Sequence, residues 1–195
     1  MENIKSGLCE IAFGQDLMKY SMEKITAIFP EGEIVDIFAE HGVPRFLSPD
    51  IDFLREEING FRKFSDFINM DEIQEDDIRD RAMKYKNYIA IAMHNNCFIA
   101  INPKKEIVMI DYERWSENYV NRDIIAFLSC VILINRLVMK TLNENPECDY
   151  FGDCLKDEDI AKFVQDITCV DERAMDEKAF WNIVLDEIAD AADEW

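Results

Sequence analysis

Six cysteines and two histidines are the residues of this sequence that could form a zinc site. They are Cys9, Cys97, Cys130, Cys148, Cys154 and Cys169, with His41 and His94. A structural zinc site needs ligands at short fixed spacings such as Cys-x-x-Cys or His-x-x-x-His. Neither spacing occurs, and Cys148 and Cys154 are too far apart for a zinc knuckle. The carboxylates from Asp157 to Asp159 lack the spacing of a calcium-binding EF-hand loop. The sequence therefore predicts neither a metal nor a cofactor site.

His94 and Cys97 are close enough in sequence to suggest a base beside a nucleophile. No Gly-x-Ser-x-Gly elbow accompanies them, and the six glycines form no P-loop or dinucleotide pattern. We expect His94 to lie in a turn. We also expect the two side chains to point to opposite faces of a hairpin, because alternate strand residues do so. These expectations favour a protein that is not an enzyme.

Acidic residues dominate the charge of the chain. There are 41 Asp and Glu against 21 Lys and Arg, a net charge of −20. Of the acids, 17 lie between Thr141 and Trp195, where only four basic residues occur. This charge disfavours binding to nucleic acid or to anionic lipid, both of which attract cationic side chains. A basic protein is the natural partner.

Several features predict a soluble, cytoplasmic protein. The chain begins without the basic and apolar regions of a signal peptide. The longest apolar stretch, Ile124 to Ile134, is too short to span a bilayer and is predicted to form a buried core helix. The dispersed cysteines fit a reducing compartment, since 195 residues can fold without disulfides.

A sheet and helices are both predicted, which gives an α+β fold. Three β-prone runs separated by turn residues predict an antiparallel meander: Tyr88 to Met93, Cys97 to Ile101, and Ile107 to Ile110. Glu10 to Phe13 is expected to form a short strand followed by a turn at Gly14, and Glu31 to Ala39 a helix ending at Gly42. Asn121 is expected to cap the helix that contains Ile124.

Two further helices are predicted within residues 143–195, which we expect to form an acidic C-terminal extension. The first begins at Asp157 and has apolar residues at helical spacing from Ile160 to Ile167; the second has an apolar arc from Phe180 to Trp195. Acidic faces and loop aromatics of this kind are typical of protein-recognition surfaces. The candidate partner-binding residues are Asp157, Glu158, Asp159, Asp186, Asp190, Asp193, Tyr112, Trp115, Tyr150 and Phe151.

The order of the elements resembles the SUKH superfamily (Smi/Knr-like proteins). The motifs are Gly42-Val43-Pro44, the three strands of the meander, Tyr119 to Leu128 leading into a helix with Phe127-Leu128, and Phe180-Trp181 after Asp171. The resemblance implies one domain over residues 1–195, with an antiparallel sheet packed against helices. The C-terminal pair Phe180-Trp181 is similar to a longer subgroup with a helical tail.

The resemblance also implies a function. Proteins of this family include immunity proteins, which bind and neutralise toxins delivered between bacteria, and a charge of −20 suits a toxin with a basic, nuclease-type active site. A regulatory adaptor, like the cell-wall-synthesis regulators of the family, is the alternative. A hydrolase that uses carboxylates, or the His94 and Cys97 pair, is a third hypothesis. The identity of the toxin and the oligomeric state stay open.

Overall fold

The computed structural model describes residues 4–30, 32–48, 50–147 and 152–190. These ranges contain seven strands and seven α-helices, so the fold is α+β. The strands are β1 (Phe46–Leu47), β2 (Ile51–Phe53), β3 (Arg62–Lys63), β4 (Ile89–His94), β5 (Cys97–Ile101), β6 (Ile107–Asp111) and β7 (Ser116–Asn121). The α-helices are α1 (Ile4–Glu10), α2 (Met22–Ile28), α3 (Glu33–Val35), α4 (Asp76–Ala82), α5 (Ile124–Glu144), α6 (Asp157–Val170) and α7 (Phe180–Asp190).

The strands form one antiparallel sheet in the order β1-β2-β4-β5-β6-β7, and β3 pairs with the same strand β4. The predicted meander is confirmed as β4, β5 and β6. Strand β7 was not predicted, because its sequence has only Tyr119 and Val120 as adjacent β-prone residues.

The predicted strand from Glu10 to Phe13 is wrong, whereas the predicted turn at Gly14 is confirmed. Helix α1 ends at Glu10, and a turn follows in which Phe13 and Gly14 have φ angles of 51° and 77°. Positive φ is incompatible with an extended strand. The helix expected before Gly42 is confirmed as α3 and a π-helical turn, Asp36–His41. A side chain at Gly42 would be strained at φ 96° and would place its Cβ 2.9 Å from the Met18 carbonyl oxygen.

Apolar residues cover both faces of the sheet. Ile99 and Ile101 belong to the larger core, which faces the helices, whereas Ala100 faces a smaller core built around Phe64 and Tyr85. A β-bulge in β4 breaks the alternation, since Ala90 pairs with Ala100 but Ala92 pairs with Ile99. Every residue of β4 after the bulge therefore lies on the face opposite to the one that simple alternation predicts.

Helix α5 is the central element of the larger core. It is long and apolar enough to cross a membrane, yet 61% of its most apolar window is buried inside the fold, as in a core helix of a soluble protein. The predicted cap Asn121 is wrong. The cap is Asp123, which accepts a hydrogen bond from the Ala126 N–H at 2.8 Å, while Asn121 is the last residue of β7 and is buried.

A buried amide joins α5 to the edge of the sheet. Asn135 is fully buried, and its Oδ1 accepts from the Ser48 N–H at 3.1 Å while its Nδ2 donates to the Ser48 carbonyl at 2.9 Å. Nδ2 also donates to the Val131 carbonyl within the helix. The side chain thus satisfies the backbone groups of the residue that follows β1.

We expect Asn135→Leu to lower the free energy of unfolding by about 1–3 kcal/mol, because the Ser48 backbone groups would lose their partners in a buried place. The matched control is Asn143→Leu, an exposed position of the same helix. Urea denaturation of the two variants measures the difference. Equal stabilities would show that the hydrogen bonds of Asn135 do not outweigh the cost of burying its amide.

Candidate protein-binding surface

The C-terminal helices carry most of the candidate residues, and buried polar contacts fix their position. Trp181 of α7 is fully buried and donates from its Nε1 to Asn121 Oδ1 at 2.9 Å. The Asn121 amide also donates to the Cys130 sulfur of α5 at 3.4 Å. These contacts join α7, β7 and α5 at one point.

Asp171, between α6 and α7, is the buried acid of this arrangement, with only 4% of its surface exposed. One carboxylate oxygen accepts from the Tyr119 hydroxyl at 2.8 Å and from the Arg122 N–H at 2.6 Å. The other accepts from the Arg173 N–H at 3.2 Å and caps the 3₁₀ turn Glu172–Met175. Burial and the hydrogen bond to Asp171 raise the pKa of Tyr119, so the Tyr119 hydroxyl stays a donor at neutral pH.

Asp171→Asn should lower the free energy of unfolding by about 2–3 kcal/mol, because an amide accepts fewer of these hydrogen bonds and brings an extra donor into the cluster. Tyr119→Phe should lower the free energy of unfolding by less, since Asp171 loses one donor and keeps the N–H groups of Arg122 and Arg173. Thermal or urea unfolding tests the order. The matched control is Asp176→Asn, an exposed acid five residues later, and an effect as small as this control would contradict the prediction.

Glu106 links the same region to the turn between β5 and β6. Its carboxylate accepts from Asn102 Nδ2 at 2.9 Å and from Arg173 at 3.3 Å, and the Arg173 guanidinium also lies 3.9 Å from the centre of the Tyr119 ring. The hydrogen bond from Asn102, followed by the contacts with Arg173, holds the pKa of Glu106 below its ordinary value.

A lowered pKa in the folded state means that Glu106 stabilises the protein above its ordinary pKa, near 4.5, and loses that contribution as the pH falls through the folded value. Glu106→Gln should therefore destabilise the protein at pH 7 and have a smaller effect near pH 3. Denaturant unfolding of wild type and variant across this range measures the difference. A constant difference at all pH values would exclude a contribution from the Glu106 charge.

The acidic start of α6 is confirmed in position. Asp157 and Glu158 are exposed in its first turn. Asp159 differs, because its side chain is only 11% exposed and its carboxylate lies 2.6 Å from the Lys140 ammonium of α5. Asp159 thus holds the two helices together, and the exposed acids available to a partner here are Asp157 and Glu158.

On α7, Asp186 is exposed, and Glu187 beside it pairs with His94 of β4 at 3.2 Å. Asp190 is the last residue of the helix, but its side chain lies outside the described part of the structure. Asp193, Tyr150 and Phe151 also lie outside the described residues. These four residues stay predictions.

The two loop aromatics between β6 and β7 have different environments. Tyr112 is 40% exposed and its ring contacts Phe98. Trp115, the other candidate anchor, is only 6% exposed, so little of its ring is available to a partner in this structure. Its ring stacks on Tyr85 with a centroid distance of 6.0 Å and packs edge-on against Phe64, so it completes the smaller core.

His94 and Cys97 are directly opposite each other on β4 and β5. The expectation of a turn histidine on the other face is wrong, because the turn contains only Asn95 and Asn96 and opposite residues of an antiparallel pair share a face. His94 is 3% exposed, with Phe180 packed edge-on against its ring. Burial and nearby carboxylates raise the pKa of the Cys97 thiol, which therefore stays protonated at neutral pH and is a poor nucleophile.

The cysteines only partly match the expectation of a fully reduced chain. Cys9, Cys97, Cys130 and Cys169 are free thiols, whereas Cys154 is disulfide-bonded. Burial raises the pKa of Cys130 to about 12, so that thiol is chemically inert.

Phe13 and Phe46 are exposed aromatic residues that the sequence did not single out. They are 56% and 50% exposed and lie beside the same groove. The only sequence signal is the polar or turn residue on one side of each: Phe13 precedes Gly14, and Phe46 follows Arg45. Such isolated residues are common at surfaces, so the signal is weak.

Comparisons with family models, curated proteins and solved structures found no match to this chain. The function has to be inferred from the order of the elements and from the arrangement of the residues described above.

Proposed function

We propose that this protein is a cytoplasmic immunity protein of the SUKH type, which binds a basic bacterial toxin and blocks it without catalysis. Two features support the proposal. One is the order of the elements, in which a turn at Gly42, a meander, a long core helix and two C-terminal helices follow one another. The other, which carries most weight, is the excess of exposed carboxylates in a chain of charge −20.

The acidic faces of α6 and α7 are the proposed steering surface. Asp157, Glu158 and Asp186 are exposed, and among the described residues none has an ion-pair partner. Carboxylates that are not neutralised attract a cationic protein over a distance of about a Debye length, roughly 8–10 Å at physiological salt. A toxin with a cationic cleft would therefore meet this surface at an increased rate. Tyr112 is a candidate contact residue.

The environment of His94 and Cys97 argues for binding instead of hydrolysis. A nucleophilic cysteine needs a lowered pKa and access to substrate. The Cys97 pKa is raised, and Phe180 and Glu187 cover His94. Glu187 itself is about half exposed and paired, which does not suit the buried, pKa-raised acid of a hydrolase.

The proposal is tested first with the toxin domains encoded beside this gene. Purified protein should bind one of them, and co-expression should protect cells from it. If no neighbouring toxin binds and no cell is protected, the proposal is wrong.

The triple variant Asp157→Asn, Glu158→Gln and Asp186→Asn should then slow association by roughly three- to tenfold at low salt and leave dissociation nearly unchanged. The salt dependence of association should also become flatter. The matched control, Asp71→Asn, Glu72→Gln and Glu75→Gln, changes the net charge equally at exposed positions elsewhere. Stopped-flow mixing measures both rates, and equal effects of the two triple variants would mean that α6 and α7 have no special role.

A further inference from the structure

A groove of about 570 Å³ runs along the outer edge of the sheet beside β1. Phe13 and Phe46 present half-exposed rings to it, and Leu47 and Ile51 lie along its lining. Two exposed aromatic rings beside one concave surface are typical of a protein contact, because aromatic residues contribute most at the centre of interfaces.

At this groove the outer backbone groups of β1 form hydrogen bonds with a side chain, where a further strand of the sheet would otherwise pair. The Gln15 carboxamide donates from Nε2 to the Phe46 carbonyl at 2.9 Å, and its Oε1 accepts from the Phe46 N–H at 3.2 Å. A neighbouring strand would make the same pair of hydrogen bonds with Phe46. Gln15 therefore occupies the position of one peptide group of an added strand.

Within the described part of this edge, the backbone of Phe46 is held by an exposed side chain and is open to exchange. Two residues along, the Ser48 backbone groups are bound by Asn135, which is fully buried and belongs to the core. The hydrogen bonds of Gln15, in contrast, are exposed to solvent. An incoming extended segment could replace the Gln15 carboxamide without disturbing the core.

The backbone at Phe13 holds its ring outside the core. Its φ of 51° is uncommon for a bulky residue and costs free energy. The Phe13 ring is 56% exposed, so in the free protein its burial does not offset the cost of the strained backbone. Burial of this ring against a partner would offset that cost.

Charge indicates the chemistry of the occupant. The lining contains Asp50 and Asp52, and the cation Arg45 lies beside it, with its guanidinium 4.2 Å from the centre of the Phe46 ring. Arg45 neutralises Asp52 at 3.3 Å, but Asp50 is exposed with no ion-pair partner in the described ranges. A segment that carries Lys or Arg beside an apolar side chain is complementary to this lining.

We propose that the groove at β1 docks an extended, basic segment of the partner protein, whose backbone replaces the Gln15 carboxamide at Phe46. Its apolar side chain packs between Phe13 and Phe46, and its cationic side chain faces Asp50. The proposal deepens the proposed function, since it locates the anchoring contact with the toxin away from the acidic faces of α6 and α7.

The direct test uses a defined probe, a seven-residue peptide of alternating Lys and Val, with the Glu and Val peptide as its charge control. In ¹⁵N-labelled protein, the Lys peptide should shift the signals of the Phe46 N–H and the Gln15 side-chain amide, and the Glu peptide should not. Equal shifts from both peptides, or shifts confined to other surfaces, would overturn the proposal.

The variants Phe13→Asn and Phe46→Thr, combined, should weaken binding of the peptide and of the toxin at least tenfold. Asn tolerates the positive φ of residue 13, and Thr retains β propensity at residue 46. The matched controls are Leu142→Gln and Ile58→Asn, which are 44% and 47% exposed outside the groove lining, and circular dichroism checks the folding of all variants. Gln15→Ala should bind as well as or better than wild type, because no carboxamide has to be displaced.

The outcomes separate this proposal from the proposed function. If the toxin binds the wild type and the double variant equally, the groove is not the anchor and the inference is wrong. If the Lys peptide docks at Phe46 but no toxin binds, the proposed immunity function fails and the groove remains a docking site. If the chain alone forms a dimer that the double variant abolishes, the occupant is a second copy and the basic-segment proposal is overturned.

Discussion

The carboxylate of Asp171 joins the sheet to the C-terminal helices, and the positions of α6 and α7 depend on it. A buried charge is costly unless donors surround it. Tyr119 and the N–H groups of Arg122 and Arg173 supply those donors from β7, from the start of the α5 connection and from the turn after α6. The chain has 41 acidic residues, and Asp171 is a buried one. Its hydrogen bonds offset the cost of burial and fix the positions of the helices.

The position of α7 brings three of its side chains into contact with the sheet. Trp181 reaches Asn121 in the core, and Phe180 and Glu187 cover His94 at the end of β4. The histidine that the sequence offered as a catalytic base is thus used to hold a helix against a strand. The same packing leaves Asp186 exposed, so one arrangement both buries His94 and presents an acidic side chain to solvent.

Much of the fold could be predicted from the sequence because its signals are local. The meander follows from three β-prone runs with turn residues between them, and α5, α6 and α7 follow from apolar residues at helical spacing. The features that the sequence did not predict come from tertiary effects. The bulge at β4 moves His94 to the face of Cys97, and Trp115 is buried because Tyr85 and Phe64, from a distant segment, pack against it. No pattern within a few residues encodes either contact.

The candidate surface divides in the same way. Asp157, Glu158 and Asp186 could be predicted from helix periodicity, but the pairing of Asp159 with Lys140 depends on how α6 crosses α5. Attraction between the acidic faces of α6 and α7 and a basic protein would raise the rate of encounter, but it would not fix the orientation of the partner, because attraction between charges acts at long range. Orientation needs contacts that occur once. Phe13, Phe46 and the backbone hydrogen bonds held by Gln15 meet that requirement, because a strained ring, an exposed ring and an exchangeable strand edge lie together at one groove only among the described residues.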